Sequence, residues 1–140
     1  MLSRRIRPTD VPGWQTLIQA LGWGQTCEDL QFCLRCGPAI GSFDEAGSLL
    51  STAALPAYSS GSELHGFSSD DGDLGFSWLA YVATRDSARK RGLASTQVDN
   101  LLNEVPQTRP IGLYGSVLGA PLYASRGFVD RGAAHLMCLS

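Results

Sequence analysis

Tyr81-Val82-Ala83-Thr84-Arg85-Asp86-Ser87-Ala88-Arg89-Lys90-Arg91-Gly92-Leu93-Ala94 carries an apolar strand into a basic turn that opens a helix. Upstream, Trp78, Leu79, Ala80, Tyr81 and Val82 have the length and composition of a buried strand. Downstream, Leu93, Ala94, Val98, Leu101, Leu102 and Val105 recur at helical spacing, with Gln97, Asp99, Asn100, Asn103 and Glu104 between them. The first amides of a helix have no intrahelical acceptor and lie at the positive end of its dipole. An anion placed at Gly92-Leu93-Ala94-Ser95 would satisfy those donors. Gly92 and Ala94 present nothing bulky to it, while Arg89, Lys90 and Arg91 add positive charge at the same rim.

Alone, such a turn is equally well a solvated basic cap on an ordinary helix. The chain has no Gly-x-x-x-x-Gly-Lys-Ser/Thr loop, and no Gly-x-Gly-x-x-Gly follows a strand. A P-loop NTPase, a kinase or a dinucleotide dehydrogenase is therefore disfavoured. The C-terminal part tips the balance. Ile111-Gly112-Leu113-Tyr114-Gly115-Ser116 reads as a strand, Leu118 to Ser125 as a short helix, and Gly127-Phe128-Val129 as the start of another strand.

Val82-Ala83-Thr84 followed by Arg89-Lys90-Arg91-Gly92-Leu93-Ala94 resembles the acetyl-CoA-binding motif of the GNAT N-acetyltransferase superfamily, Arg/Gln-x-x-Gly-x-Gly/Ala. Leu122-Tyr123 with Gly127-Phe128 resembles that superfamily's second hallmark, and Ser116, Gly119 and Pro121 stand where many bacterial members carry them. The two motifs occur in the superfamily's order and at its spacing. The resemblance implies a mixed α/β domain over residues 1–140: a central, mostly antiparallel twisted sheet of about six to seven strands flanked by about four helices. It also implies acetyl-CoA as cosubstrate. Ala80, Tyr81 and Val82 would pair with the pantetheine arm through their backbone. Arg89, Lys90, Arg91, Gly92, Leu93 and Ala94 would offer amides to the pyrophosphate, and Ser95 a hydroxyl.

Length and composition fit one such domain. A chain of 140 residues buries somewhat over about 60% of its unfolded surface, enough for a single core without disulfide or metal. Charged residues make up 17%, below the roughly 25% average, and the net charge is −2. With an isoelectric point near 5.6 and no recognised nucleic-acid motif, Arg4, Arg5, Arg7 and Arg89 to Arg91 do not make a nucleic-acid binder. No stretch approaches a membrane span, and Met-Leu-Ser-Arg-Arg-Ile-Arg-Pro lacks the apolar core of a signal peptide, so a cytoplasmic location is expected. Of Cys27, Cys33, Cys36 and Cys138, the Cys33-x-x-Cys36 pair is a poor ligand set without a second pair. Its spacing places both thiols on one helix face as small hydrophobes.

The N-terminal half reads as strand, two helices and a hairpin, which is how the resembled superfamily begins. Ser3 to Arg7 is an edge strand ending at Pro8. Thr9 or Asp10 caps a helix through Ala20 with Trp14, Leu17, Ile18 and Leu21 on one stripe. Thr26 caps a second helix through Cys36, stopped by Gly37-Pro38. Ala39 to Phe43 and Ser48 to Leu55 form a hairpin around Asp44-Glu45-Ala46-Gly47. Between Pro56 and Gly75 lies a Ser-, Gly- and Asp-rich loop whose Glu63, His65, Asp70, Asp71 and Asp73 either meet a cationic amine or are simply solvated.

In the resembled superfamily, acetyl passes directly from the thioester to a primary amine, and Tyr123 stands at the position of the usual general acid. A phenol with an ordinary pKa of about 10 is protonated at neutral pH and can donate. Many members carry a glutamate on the cofactor-binding strand, whereas Phe76 to Thr84 contains no carboxylate. Asp73 lies just before it and Asp86 just after. That gap leaves a noncatalytic acyl-CoA-binding or regulatory module as the alternative to an enzyme. The acceptor amine is undefined by sequence, and a homodimer is compatible with the resemblance.

Overall fold

The computed structural model describes residues 1–58, 75–135 and 137. In chain order it runs β1 (Leu2–Arg5), α1 (Val11–Ala20), α2 (Cys27–Cys36), β2 (Ala39–Phe43), β3 (Leu49–Ala54), β4 (Ala57–Tyr58), β5 (Phe76–Trp78), β6 (Ala80–Thr84), α3 (Leu93–Leu102), β7 (Ile111–Gly112) and α4 (Ala120–Ser125). Short 3₁₀ turns occupy Pro8–Asp10 and Asp86–Ala88. Glu63, His65, Asp70, Asp71, Asp73 and Cys138 lie outside the described residues. Among the described residues no helix is long and apolar enough to cross a membrane.

β2 and β3 are buried along their whole length because helices cover both faces. Successive side chains of a strand point to opposite faces. Ala39, Phe43 and Ala54 accordingly pack with Val11, Trp14, Leu17, Ile18 and Leu30 of α1 and α2. Ile40, Ala53 and Leu55 pack with Val98 and Leu101 of α3. At the start of α2, Thr26 caps as expected, its Oγ1 accepting from the Asp29 amide, and the Asp29 carboxylate accepts from the Thr26 amide to complete a capping box. Asp10 precedes α1 without capping it. Its carboxylate instead accepts from both Nη atoms of Arg4, at 2.7 and 3.0 Å, and from the Arg7 amide.

The seven strands among the described residues form two sheets. The first has the order β1-β2-β3-β6 and is antiparallel throughout; the second has the order β4-β5-β7, with β4 and β5 antiparallel and β5 and β7 parallel. Arg109 holds the second sheet together, donating to Ser77 Oγ and to the carbonyls of Phe76 and Tyr58.

Four expectations are corrected. The stretch from Trp78 to Val82 is not one strand: Leu79 separates β5 from β6, and the two belong to different sheets. Ile111 to Ser116 is a strand only over Ile111–Gly112, and the residues after Gly127 do not start a strand. Gly127 takes a φ of 89° and Phe128 turns back to lie edge-on to Tyr123, with the rings 6.1 Å apart. Finally, Gln97 does not sit on the polar face of its helix but is fully buried against the sheet. Its Nε2 donates to Ser42 Oγ at 2.8 Å and to the Ser51 carbonyl at 3.1 Å, while the Ser51 hydroxyl donates to its Oε1.

Candidate active site

Between the pairs Thr52–Ala83 and Ala54–Ala80, two residues of β6, Tyr81 and Val82, oppose the single residue Ala53. This is a β-bulge, and Tyr81 adopts a φ of 52° to make it. The extra residue changes the phase of the strand. Leu79 and Val82, three positions apart, share the α3 side, while Tyr81 and Ala83 face α1 and α2. The Thr52 hydroxyl donates to the Tyr81 carbonyl at 2.9 Å and so holds the bulge in place.

The bulge coincides with the parting of the sheets. The Leu79 amide still donates to the Gly112 carbonyl of β7, at 2.8 Å. Beyond it β6 has a strand neighbour, β3, on one side only among the described residues. An open cleft of about 650 Å³ lies where the strands separate, with Leu79, Ala80 and Tyr81 among its lining. Its other walls come from the α1–α2 connection (Trp23, Gln25), from α2 (Asp29, Phe32, Cys33), from Pro56 and Tyr58, and from Trp78 and Tyr114. Trp78 lies across β7 because Gly112 has no Cβ to block its ring.

At the far end of β6 the chain turns through Asp86–Ala88 into α3. Asp86 is paired with Arg89 at 3.0 Å, both side chains exposed. Lys90 has a φ of 66° and Gly92 a φ of 73°, two left-handed residues that aim the turn at the helix start. No side chain caps α3, and its first backbone bond runs from the Thr96 amide to the Gly92 carbonyl. The amides of Leu93, Ala94 and Ser95 thus precede the first intrahelical bond. A Cβ built on Gly92 would meet nothing within 4 Å, so the position just before these amides is unobstructed. Arg89, Lys90 and Arg91 are exposed around it. The Leu93 side chain is buried with Leu50 and Ala88, which leaves only its backbone to face a ligand.

The remaining predicted residue, Tyr123, projects from α4. It does not line the cleft; it packs with Val82 and Phe128 against the cluster containing Leu79, Val98 and Leu101. Its ring lies over Gly115 and Gly119, and a Cβ at Gly119 would come within 2.9 Å of it. Burial pushes its phenol above the ordinary value of 10.0. Arg126, just past α4, donates from Nε and Nη2 to the two carboxylate oxygens of Asp99, at 2.9 and 3.0 Å, and so ties α4 to α3. Ser116 Oγ accepts from the Gly119 amide at 3.2 Å where α4 begins.

Sequence reasoning missed the cleft's aromatic lining, because Trp23, Phe32 and Tyr58 come from segments with no motif. Cys33 is buried on α2, and burial, reinforced by Cys36, pushes its thiol up to about 12. A thiol so protonated is a hydrophobe and not a nucleophile.

No protein-family model matches the sequence, and no curated protein matches it either. Solved structures do. An acetyltransferase from Trypanosoma brucei superposes with a TM-score of 0.74 at 16% identity, covering 99% of each chain. A glucosamine-6-phosphate N-acetyltransferase from Arabidopsis thaliana gives 0.73 at 13% identity over 99% of this chain and 98% of that one. A predicted acetyltransferase from Clostridium acetobutylicum, solved with acetyl-CoA, gives 0.71 at 18% identity over 98% and 95%. The chain shares the fold of these acetyltransferases.

Proposed function

We propose that the protein is an acetyl-CoA-dependent N-acetyltransferase that moves an acetyl group directly to a primary amine, with Tyr123 as general acid. The observation that carries this reading is the continuity of three features on one segment: a strand edge opened at Ala80–Val82, a left-handed Gly92 at an unobstructed position, and an uncapped helix start. The acetyl-CoA complex of the Clostridium acetobutylicum protein, which shares the fold, supports the same ligand here. The residues fit that ligand. The amides of Leu93, Ala94 and Ser95 and the charges of Arg89, Lys90 and Arg91 would hold a pyrophosphate. The edge of β6 left without a strand neighbour among the described residues would pair with the amide-bearing arm.

Acetyl-CoA supplies an acyl group on a good leaving sulfur. The amine nitrogen bonds to the acyl carbon while the carbon–sulfur bond breaks; the nitrogen gives up a proton and the sulfur takes one. Tyr123, kept protonated by burial, donates to the sulfur. The amine proton passes to solvent in the open cleft, since the described part of Phe76 to Thr84 offers no carboxylate and Asp86 is paired with Arg89 in water. That lack of a strand carboxylate is what favours the second reading, a noncatalytic acyl-CoA-binding module.

Titration calorimetry with acetyl-CoA, on the native protein and on Gly92→Glu, tests the ligand. Binding that the glutamate weakens at least about tenfold supports it, through charge repulsion at the cradle. No binding by the native protein overturns it. An amine screen followed by thiol release then separates enzyme from binding module.

A further inference from the structure

Among the described residues the cleft gathers six aromatic side chains, Trp23, Phe32, Tyr58, Trp78, Tyr81 and Tyr114, drawn from six separate segments. Several are more open to solvent than large apolar side chains usually are: Phe32 is 54% exposed and Tyr114 77%. Trp78, on the central strand of the second sheet, and Tyr114, just past its neighbour β7, meet edge-on with their centroids 4.9 Å apart. The rings therefore form walls around a space and do not fill it.

The charge inventory is as one-sided. Among the described lining residues, Asp29 is the one carboxylate, and there is no Lys, Arg or His. One oxygen of Asp29 is already engaged by the Thr26 amide and hydroxyl, at 2.8 and 3.0 Å. Burial is the main cause that raises the titrations of Cys33, Tyr58 and Tyr81, the first and last to about 12, so these groups stay neutral. A second polar group is Gln25, whose Oε1 is shielded from solvent and has no hydrogen-bond partner among the described residues. A buried carbonyl oxygen without a donor is costly, so Gln25 adds no exposed charge or free acceptor to the cleft.

We infer that this cleft is the acceptor site and that it takes a small monoamine carrying an aromatic ring, the ring between the aromatic walls and the nitrogen toward Ala80. The inference rests on the proposed acetyltransferase reading and names the substrate class of the same site. A volume of about 650 Å³ is that of a small-molecule site, and one built from apolar walls with few polar groups. Aromatic faces hold another ring by edge or offset stacking and attract an ammonium group before it loses its proton. A polyamine or aminoglycoside needs several carboxylates, and a sugar phosphate needs cations; the described walls offer neither set. The position fits as well. From Thr84, next to the cradle turn, back to Ala80 is about 13 Å of strand, so a ligand anchored at Gly92 and lying along β6 ends at the cleft.

The test compares 2-phenylethylamine, n-butylamine, spermidine and glucosamine as acceptors, by thiol release with acetyl-CoA. Phenylethylamine should exceed the others in kcat/KM by at least about tenfold. Trp23→Ala and Tyr114→Ala, both at solvent-accessible positions, should each raise its KM several-fold and leave acetyl-CoA affinity unchanged. Equal or better use of butylamine, spermidine or glucosamine, or an unchanged KM in both variants, overturns the assignment. Tryptophan fluorescence keeps it separate from catalysis. With or without turnover, a saturable change caused by phenylethylamine and not by butylamine supports the aromatic site, and its absence overturns it. Thiol release that fails while this binding persists counts against the acetyltransferase reading alone.

Discussion

Gln97 Nε2 lies 2.8 Å from the Ser42 hydroxyl, so one amide of α3 reaches into the sheet at β2 and, through Ser51, at β3. The Ser51 hydroxyl is also 3.0 Å from Thr84 Oγ1, which extends the network to β6. The helix whose uncapped first turn carries the proposed cradle is thereby fixed in rotation and height by a buried polar key. Gln97→Met keeps the length and removes every donor and acceptor, leaving Ser42 and Ser51 short of partners. We expect a loss of about 2–3 kcal/mol in urea unfolding with an unchanged m-value. A loss under about 0.5 kcal/mol would show the network to be incidental.

Gly92 separates backbone strain from ligand contact. With φ at 73° any side chain costs about 1 kcal/mol, but a Cβ there meets nothing within 4 Å. Gly92→Ala should therefore lower the melting temperature by a few degrees and leave acetyl-CoA binding nearly intact, in contrast to Gly92→Glu. Equal loss of binding in both variants would assign the effect to the backbone.

Tyr123→Phe should reduce kcat by about a hundredfold with little change in KM for acetyl-CoA. Because burial raises the phenol's pKa, its acid form persists through neutrality. The native kcat should consequently show no descending limb below about pH 9 that the phenylalanine variant lacks. Such a limb near neutrality, or a fully active variant, would remove Tyr123 from the mechanism.

Asp10 sets a stability dependence on pH. Its hydrogen bonds from Arg4, and secondarily from the Arg7 amide, lower its pKa below the ordinary 3.8 in the folded protein. Stability from this group is fully present above about pH 5 and is lost as pH falls through the depressed value. Asp10→Asn should lower the unfolding midpoint at pH 7, while near pH 2 native and variant should converge. A constant difference at both pH values would mean that the carboxylate's charge is irrelevant.

How much of this was legible in the sequence follows from how local each signal is. The Thr26 cap, Gly37 after Cys36 and the Asp44 to Gly47 turn act over three or four residues, and the structure forms each of them as expected. The Arg89 to Ala94 turn is equally local, and Gly92 proved left-handed at the helix start. Gln97 misled because a polar residue at helical spacing reads as solvent-facing, and only its sheet partners, 46 and 55 residues away, make it a core residue. The bulge was invisible for a similar reason. An apolar run from Trp78 to Val82 has no alternation to break, so the extra residue appears only against the register of β3. Phe128 packs on Tyr123 in place of extending a strand, a choice of tertiary contact over propensity.

The bulge at Tyr81–Val82 has a protective side. An open sheet edge is an invitation to any extended chain, and intermolecular pairing of such edges is a route to aggregation. On β6 a foreign strand would find two residues where a regular ladder needs one, with Tyr81 turned to a left-handed backbone. Regular pairing would fail within a residue or two, while a short, flexible partner with its own amides spaced differently could still dock. Under the proposed function, the same inserted residue would leave the edge to the cosubstrate's arm while discouraging regular pairing with another chain.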